Sequence, residues 1–306
     1  MNIIDAAATR AALPFDTLIA ALESRFIEGC TVPLRHVHKI GEVGTTLIMP
    51  AWQERYLGIK TVNIFPGNSA RGLPALFSTY ILYDAASGAP LAHIDGNEIT
   101  SRRTAAASAL AARFLARADA ARLLIVGSGR VASLLAEAYK AVLPLTEVAV
   151  WSRNPAAAAA LSDSLGAQGF SARAWPDLEA AVRQADIVSC ATLSTAPLIR
   201  GEWLQPGSHL DLIGGFTPQM VEADDACFTN ARLFVDTEEA LLKAGDLLGP
   251  MSRGVFGADD VQATLAQLCR GERGGRRNAG EKTVFKSVGT ALEDLAAAML
   301  VISASA

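Results

Sequence analysis

The chain has 306 residues, 51% of them hydrophobic and 19% charged, enough apolar content for one large core or two modest ones. Its net charge is −4 and no block of five like charges occurs, which argues against nucleic-acid or anionic-membrane surfaces and toward small-molecule partners. The cysteines Cys30, Cys190, Cys227 and Cys269 stand far apart with no C-x-x-C, which argues against zinc, redox-motif and disulfide-framework readings and suits a reducing cytoplasm.

The N-terminal "MNIIDAAATRAALPFD" carries Asp5 and Arg10 where a signal-peptide core would lie, and no run of 18 apolar residues occurs, so neither export nor a membrane span is expected. "DTLIAALESRF" puts Leu18, Ile19, Leu22 and Phe26 on one helical face. Strands are expected at "PLRHVHKI", "TTLIMP", "LGIKTVNIF", and at "LFSTYILY" and "APLAHI", the last two joined by a "DAASG" hairpin loop containing Gly88. "NEITSRRTAAASALAARFLARA" predicts a long helix capped by Asn97 or Thr100.

From Arg122 onward, short apolar strands alternate with helices: "RLLIVG", "VASLLAEAY", "EVAVW", "PAAAAALSDSLG", "DIVSCAT", "SHLDLIGG" and "RLFVDT". Such alternation predicts a parallel sheet covered on both faces. "RGERGGRRNAGEK" reads as a surface loop, and "TVFKSVGTALEDLAAAMLVIS" as one amphipathic helix packing on the N-terminal domain.

"LLIVGSGRVASLLAEAY" fits G-x-G-x-x-A at Gly127, Gly129 and Ala132, directly after a strand and opening a helix. The first glycine permits the turn, the second lets backbone N–H groups approach a pyrophosphate, and the small third residue lets helix and strand pack closely. Ser128, Arg130 and Val131 complete the loop. The residue that reads the adenosine ribose is expected at the end of the next strand, "EVAVW", which runs into "SRN" and ends in no acid. Ser152, Arg153 and Asn154 can donate to a 2′-phosphate, which favours NADP while leaving NAD open.

"LIMPAW", "LGIKTVNIFPGN", "GLPA", "ITSRRTAAASALAARFLAR" and "TVFKSVGTALEDLAAA", with the Gly127 loop, resemble the ornithine cyclodeaminase and mu-crystallin family over nearly the whole chain. The resemblance implies an α/β fold: a doubly wound Rossmann domain at 118–287, and an N-terminal α+β open-barrel domain at 1–117 to which 288–306 returns. It further implies a homodimer, substrate held between the domains, and a cationic carboxylate pocket matching Arg35, Lys60 and Arg103, with Thr192 and Ser287 added to the cofactor contacts. Two of these cations have independent physical sense. Lys60 shares its strand face with Val62 and Ile64, where a cation calls for an anion, and Arg103 falls in the first turns of the long helix, where the dipole favours one.

Cyclodeaminases of this family carry an aspartate after "GG" and a glutamate before "MP"; here those positions hold Phe216 and Leu47. Closing a diamine into a ring needs a base, whereas reducing a preformed imine does not. The expected activity is therefore NAD(P)H-dependent reduction of a small cyclic ketimine carboxylate, with Lys60 catalytic and Phe216 packing on substrate or, more plainly, into the core. Ornithine cyclodeamination, an alanine-type dehydrogenase and a nucleotide-bound crystallin-like protein with little turnover remain alternatives. Asp211 and Asp236 are weaker candidates for acid or base, and His36 and His38 lack a third ligand at recognisable spacing, so no metal is expected.

Overall fold

The computed structural model describes residues 1–304. Its contacts divide the chain into two compact units: Met1–Arg103 joined by the chain from Thr290 onward, and Thr104–Gly289. The division falls inside the long helix, not after it at 117/118 as the sequence suggested. An unbroken run of helix formers carries no linker signal, so pattern alone cannot find such a boundary.

The first unit opens with β1 (Asn2–Ile4), α1 (Ala6–Ala11) and α2 (Phe15–Glu28), followed by β2 (His36–Ile40), β3 (Gly44–Gln53), β4 (Tyr56–Ile64), β5 (Leu76–Asp84), β6 (Pro90–Asp95) and the first turns of α3 (Gly96–Leu115), whose remainder belongs to the second unit. The strands form an open six-stranded sheet, β1-β6-β5-β4-β3-β2, antiparallel except that β1 joins β6 in parallel. The "NII" of β1 is too short to show a period and was not foreseen. The hairpin between β5 and β6 turns as expected, with Gly88 at φ +73° and the Asp84 carboxylate accepting from the backbone N of Ala86 and Ser87.

The start of α3 differs from expectation. Asp95 accepts from the backbone N of Glu98 at 2.8 Å, while the Asn97 side chain turns to Ser78 and Thr100 lies inside the helix. The predicted face of α2 is buried, with Leu18, Ile19, Leu22 and Phe26 at most 3% exposed. It packs on the C-terminal helix Ala291–Ala304, which also lies against β3 and β4.

The second unit runs β7 (Arg122–Val126), α4 (Ala132–Lys140), β8 (Glu147–Trp151), α5 (Pro155–Ala167), β9 (Ala172–Ala174), α6 (Leu178–Gln184), β10 (Ile187–Cys190), β11 (Thr195–Ile199), β12 (His209–Leu212) and β13 (Val221–Ala223). It continues with β14 (Ala231–Val235), α7 (Ala240–Lys243), α8 (Gly245–Ser252), β15 (Val261–Thr264), α9 (Leu265–Cys269) and β16 (Lys282–Lys286). The main sheet is wholly parallel, β15-β14-β16-β12-β10-β7-β8-β9, a doubly wound Rossmann arrangement; β11 and β13 pair separately. β10 and β12 are buried along their whole length, as a sheet covered on both faces requires.

The expected single C-terminal helix is two elements. Residues 282–286 form β16, seated between β12 and β14, and helix begins only at Ala291. Thr283, Val284 and Phe285 supply the β-branched and aromatic character of a buried strand, and Gly289 at φ +75° breaks the chain before the helix. Nor is that helix amphipathic: residues 291–298 are all buried, Glu293 and Asp294 included. In the preceding loop Arg276 is anchored, donating to the carbonyls of Leu115 and Ser208. Among the described residues no helix is long and apolar enough to cross a membrane.

Candidate functional site

In the second unit the strand order reverses between β7 and β10, and open parallel sheets take their ligands outside the carboxyl ends of strands at such a point. Gly127 follows β7 at φ +122°, and a Cβ there would lie 2.6 Å from the Ala191 carbonyl oxygen, so this turn admits only glycine. Gly129 is exposed, and a Cβ would meet nothing within 4 Å, which leaves the backbone open to a pyrophosphate. Val131 caps α4 without any side-chain hydrogen bond, the N–H groups of Ser133 and Leu134 donate to the carbonyls of Gly129 and Val131, and Ala132 packs at 0% exposure, so helix and strand approach closely beside the open glycine. These residues fit a dinucleotide.

The tip of β8 meets this loop: Ser128 Oγ and Ser152 Oγ lie 3.2 Å apart. Arg130 and Arg153 are exposed. Asn154 caps α5, its Oδ1 accepting from the backbone N of Ala156 at 3.1 Å, a structural duty that the sequence reading had not assigned. Thr192 follows β10 and donates its hydroxyl to Glu222; Ser287, buried, donates its backbone N to the Leu212 carbonyl.

Phe216 is half-buried, its ring against the core that contains Leu212, Leu247 and Val284. Asp211 and Asp236 are structural. Asp211 accepts from Ser108, Tyr139 and Ser189, burial pushing its carboxyl up to about 6, and Asp236 accepts from the backbone N of Val288 and Gly289 where the chain leaves β16.

In the first unit, Lys60 is 1% and Arg103 6% exposed. The anion that Lys60 called for comes from the chain itself: Nζ lies 2.8 Å from Oδ1 of Asp294 and 2.7 Å from Oδ2. Arg103 donates Nε to Asp294 at 2.9 Å and Nη1 to Glu293 at 2.6 Å. Lys60 and Arg103, expected in a cationic carboxylate pocket, thus share an ion cluster with two carboxylates that the C-terminal helix brings onto them. Burial pulls the Lys60 ammonium down to about 8 against the opposing pull of Asp294, and Arg35, half-buried, lies near enough to lower it further. Leu47 is on the same sheet face as Lys60 and is half-buried.

Sequence reasoning missed Glu293 and Asp294, although two adjacent acids in the otherwise apolar "TALEDLAAAMLVIS" were a signal of buried partners. It also missed Glu222, Asp246 and Lys286, which no local pattern marks. His36 and His38 stack at 6.4 Å between ring centroids on the exposed edge strand β2, and among the described residues no three potential ligands cluster.

The profile of the Ornithine cyclodeaminase/mu-crystallin family matches residues 15–305. The chain belongs to that family. It is 43% identical to the Delta(1)-pyrroline-2-carboxylate reductase of Paracoccus denitrificans, over 88% of this chain and 87% of that one. Among solved structures, the Delta(1)-pyrroline-2-carboxylate reductase of Thermococcus litoralis, in complex with NADH and L-proline, superimposes with TM-score 0.95 at 30% identity, over 99% and 97% of the two chains. An archaeal alanine dehydrogenase dimer with bound NAD gives TM-score 0.94 at 31% identity, covering 100% and 97%.

Proposed function

We propose that this protein is an NAD(P)H-dependent oxidoreductase that reduces the C=N bond of a small cyclic imino acid. The observation that carries this choice within the family is Phe216: the turn on which a cyclodeaminase holds its base presents a phenyl ring packed on the core, so it cannot take a proton from a substrate amine. The reductase from Paracoccus denitrificans and the proline-bound structure from Thermococcus litoralis support the same substrate class.

The reduced nicotinamide, when bound, supplies the hydride. Lys60, with its pKa near 8, gives a proton to the imine nitrogen and recovers it from solvent, Asp294 holding the ammonium in place. Arg103 has two N–H groups engaged by Glu293 and Asp294; its remaining donors, with Arg35, receive the substrate carboxylate.

Arg153, aided by Arg130 and Ser152, gives NADPH the advantage over NADH, since no acid stands at the tip of β8 to take a ribose hydroxyl. Arg153→Ala removes about 1.5 to 3 kcal/mol of that preference. The protein is a homodimer through the second face of the six-stranded sheet, where Pro50, Ile59, Ile81 and His93 form a cross-strand row that is half-buried in the single chain.

The deciding experiment follows NADPH oxidation with pyrroline-2-carboxylate and piperideine-2-carboxylate, beside 2-oxo acids with ammonia, and assays ornithine with the oxidised cofactors. Reduction of a cyclic imine is expected. Proline and ammonia from ornithine, or turnover confined to 2-oxo acids, overturns the reading in favour of a cyclodeaminase or an alanine-type dehydrogenase respectively.

A further inference from the structure

The loop after β10 and the turn after β12 meet on one carboxylate. Glu222, in β13, is 0% exposed. Its Oε1 accepts from the backbone N and from the hydroxyl of Thr192, each at 2.7 Å, and its Oε2 accepts from the backbone N of Gly214 at 2.7 Å. Asp246 of α8 accepts in turn from the backbone N of Glu222 at 2.7 Å, and its other oxygen meets Lys286 Nζ at 3.0 Å, both side chains fully buried. The two glycines make the approach feasible: a Cβ on Gly214 would collide with the Thr192 carbonyl, and one on Gly215 with the Asp246 carboxylate. Three donors from two separate loops therefore converge on a single side chain, in a compartment that holds two acids for one lysine.

We propose that Glu222 is a positioning residue for cofactor binding: its carboxylate ties the Thr192 loop to the Gly214–Phe216 turn and keeps both in one register at the carboxyl edge of the sheet. This rests on the dinucleotide-binding part of the reading above and not on the identity of the imino acid. Such a clamp works only when ionised, because a protonated carboxyl presents an O–H where it now accepts. Burial, opposed by Lys286 and reinforced by Asp246, raises Glu222 to about 7. The groups facing it are Lys286 from β16, Asp246 from α8 and Cys190 from β10, with Asp211 of β12 sharing the field of Lys286. The clamp is thus complete above about pH 7 and released as pH falls through that value.

The test is the dissociation constant of NADH, followed by its fluorescence from pH 6 to 8.5, for the parent, Glu222→Gln and Asp246→Asn, with urea unfolding to establish that each is folded. NADH is the probe because it lacks the 2′-phosphate, whose own ionisation lies near pH 6. The parent is expected to bind several-fold to tenfold more tightly at pH 8.5 than at pH 6, with a midpoint near 7. Glu222→Gln binds about tenfold more weakly throughout and loses the pH dependence; Asp246→Asn, by removing a neighbouring negative charge, moves the midpoint down. A parent whose affinity is flat across the range overturns the proposal, as does a folded Glu222→Gln with the parent's affinity and profile. If Glu222→Gln fails to fold, the parent's profile and the Asp246→Asn midpoint decide. A parent that shows the profile but reduces no cyclic imine overturns the substrate reading alone, and one that binds no NADH overturns both.

Discussion

Each unit buries an ion cluster, and the two differ in charge balance. In the first, Lys60 and Arg103 contact Asp294 and Glu293, with Arg35 near enough to act on Lys60; in the second, Lys286 contacts Asp246 beside Glu222, one cation to two acids. Burying a charge is costly unless a partner and further hydrogen bonds answer it. The first cluster, with two cations on one carboxylate, therefore keeps that acid ionised: burial alone would raise the Asp294 carboxyl, yet Lys60 and Arg103 hold it below the usual range. In the unmatched cluster the surplus falls on Glu222, which titrates near neutrality. The first cluster keeps its carboxylate ionised and puts its titration on a lysine near 8, while the second puts its titration on a carboxylate near 7.

The largest effect that could break this comparison comes from Asp294→Ala, which strands Lys60 and part of Arg103 without their common partner. It should cost about 3 to 5 kcal/mol in urea unfolding. A loss below about 1 kcal/mol would mean that water reaches the cluster and the balance does not matter. Asp246→Asn should cost less, about 1 to 3 kcal/mol, because Glu222 remains to face Lys286 and the asparagine oxygen can still accept from the backbone. Equal losses in the two variants would erase the distinction.

The smallest and sharpest separation is in pH dependence. Lys60 is charged below about 8, so kcat for imine reduction should fall as pH rises through that value, whereas NADH affinity should fall as pH drops below about 7. Lys60→Met should abolish the alkaline limb of kcat while leaving the acid limb of NADH binding unmoved. A variant that loses both limbs would show the clusters to be one titrating system.

The Rossmann unit was legible because its strands are short apolar runs separated by helix caps and glycines, and the turn at Gly127 leaves a mark that only a close backbone approach explains. Lys60 was legible as a cation on an apolar face, but its partner was not. Asp294 lies 234 residues away, on a helix that the sequence pattern merged with the strand before it. In "TVFKSVGTALEDL" the apolar residues satisfy a helical spacing across a point where the chain changes structure, and only the conformation of Gly289 breaks it. Glu222 was invisible for a different reason: its three donors come from loops 8 and 30 residues distant, and nothing in "MVEAD" announces them.

The place of β16 bears on how the chain must be made. The last strand of the sequence does not finish the sheet at its rim; it separates β12 from β14 and pairs with both. As the protein emerges from a ribosome, β14 and β15 have no seat beside the earlier strands until residue 286 has appeared, so between Val235 and Lys286 the growing chain carries two unsatisfied strand edges, one on β12 and one on β14. Only when β16 is inserted are both edges paired and the sheet made continuous from β15 to β9.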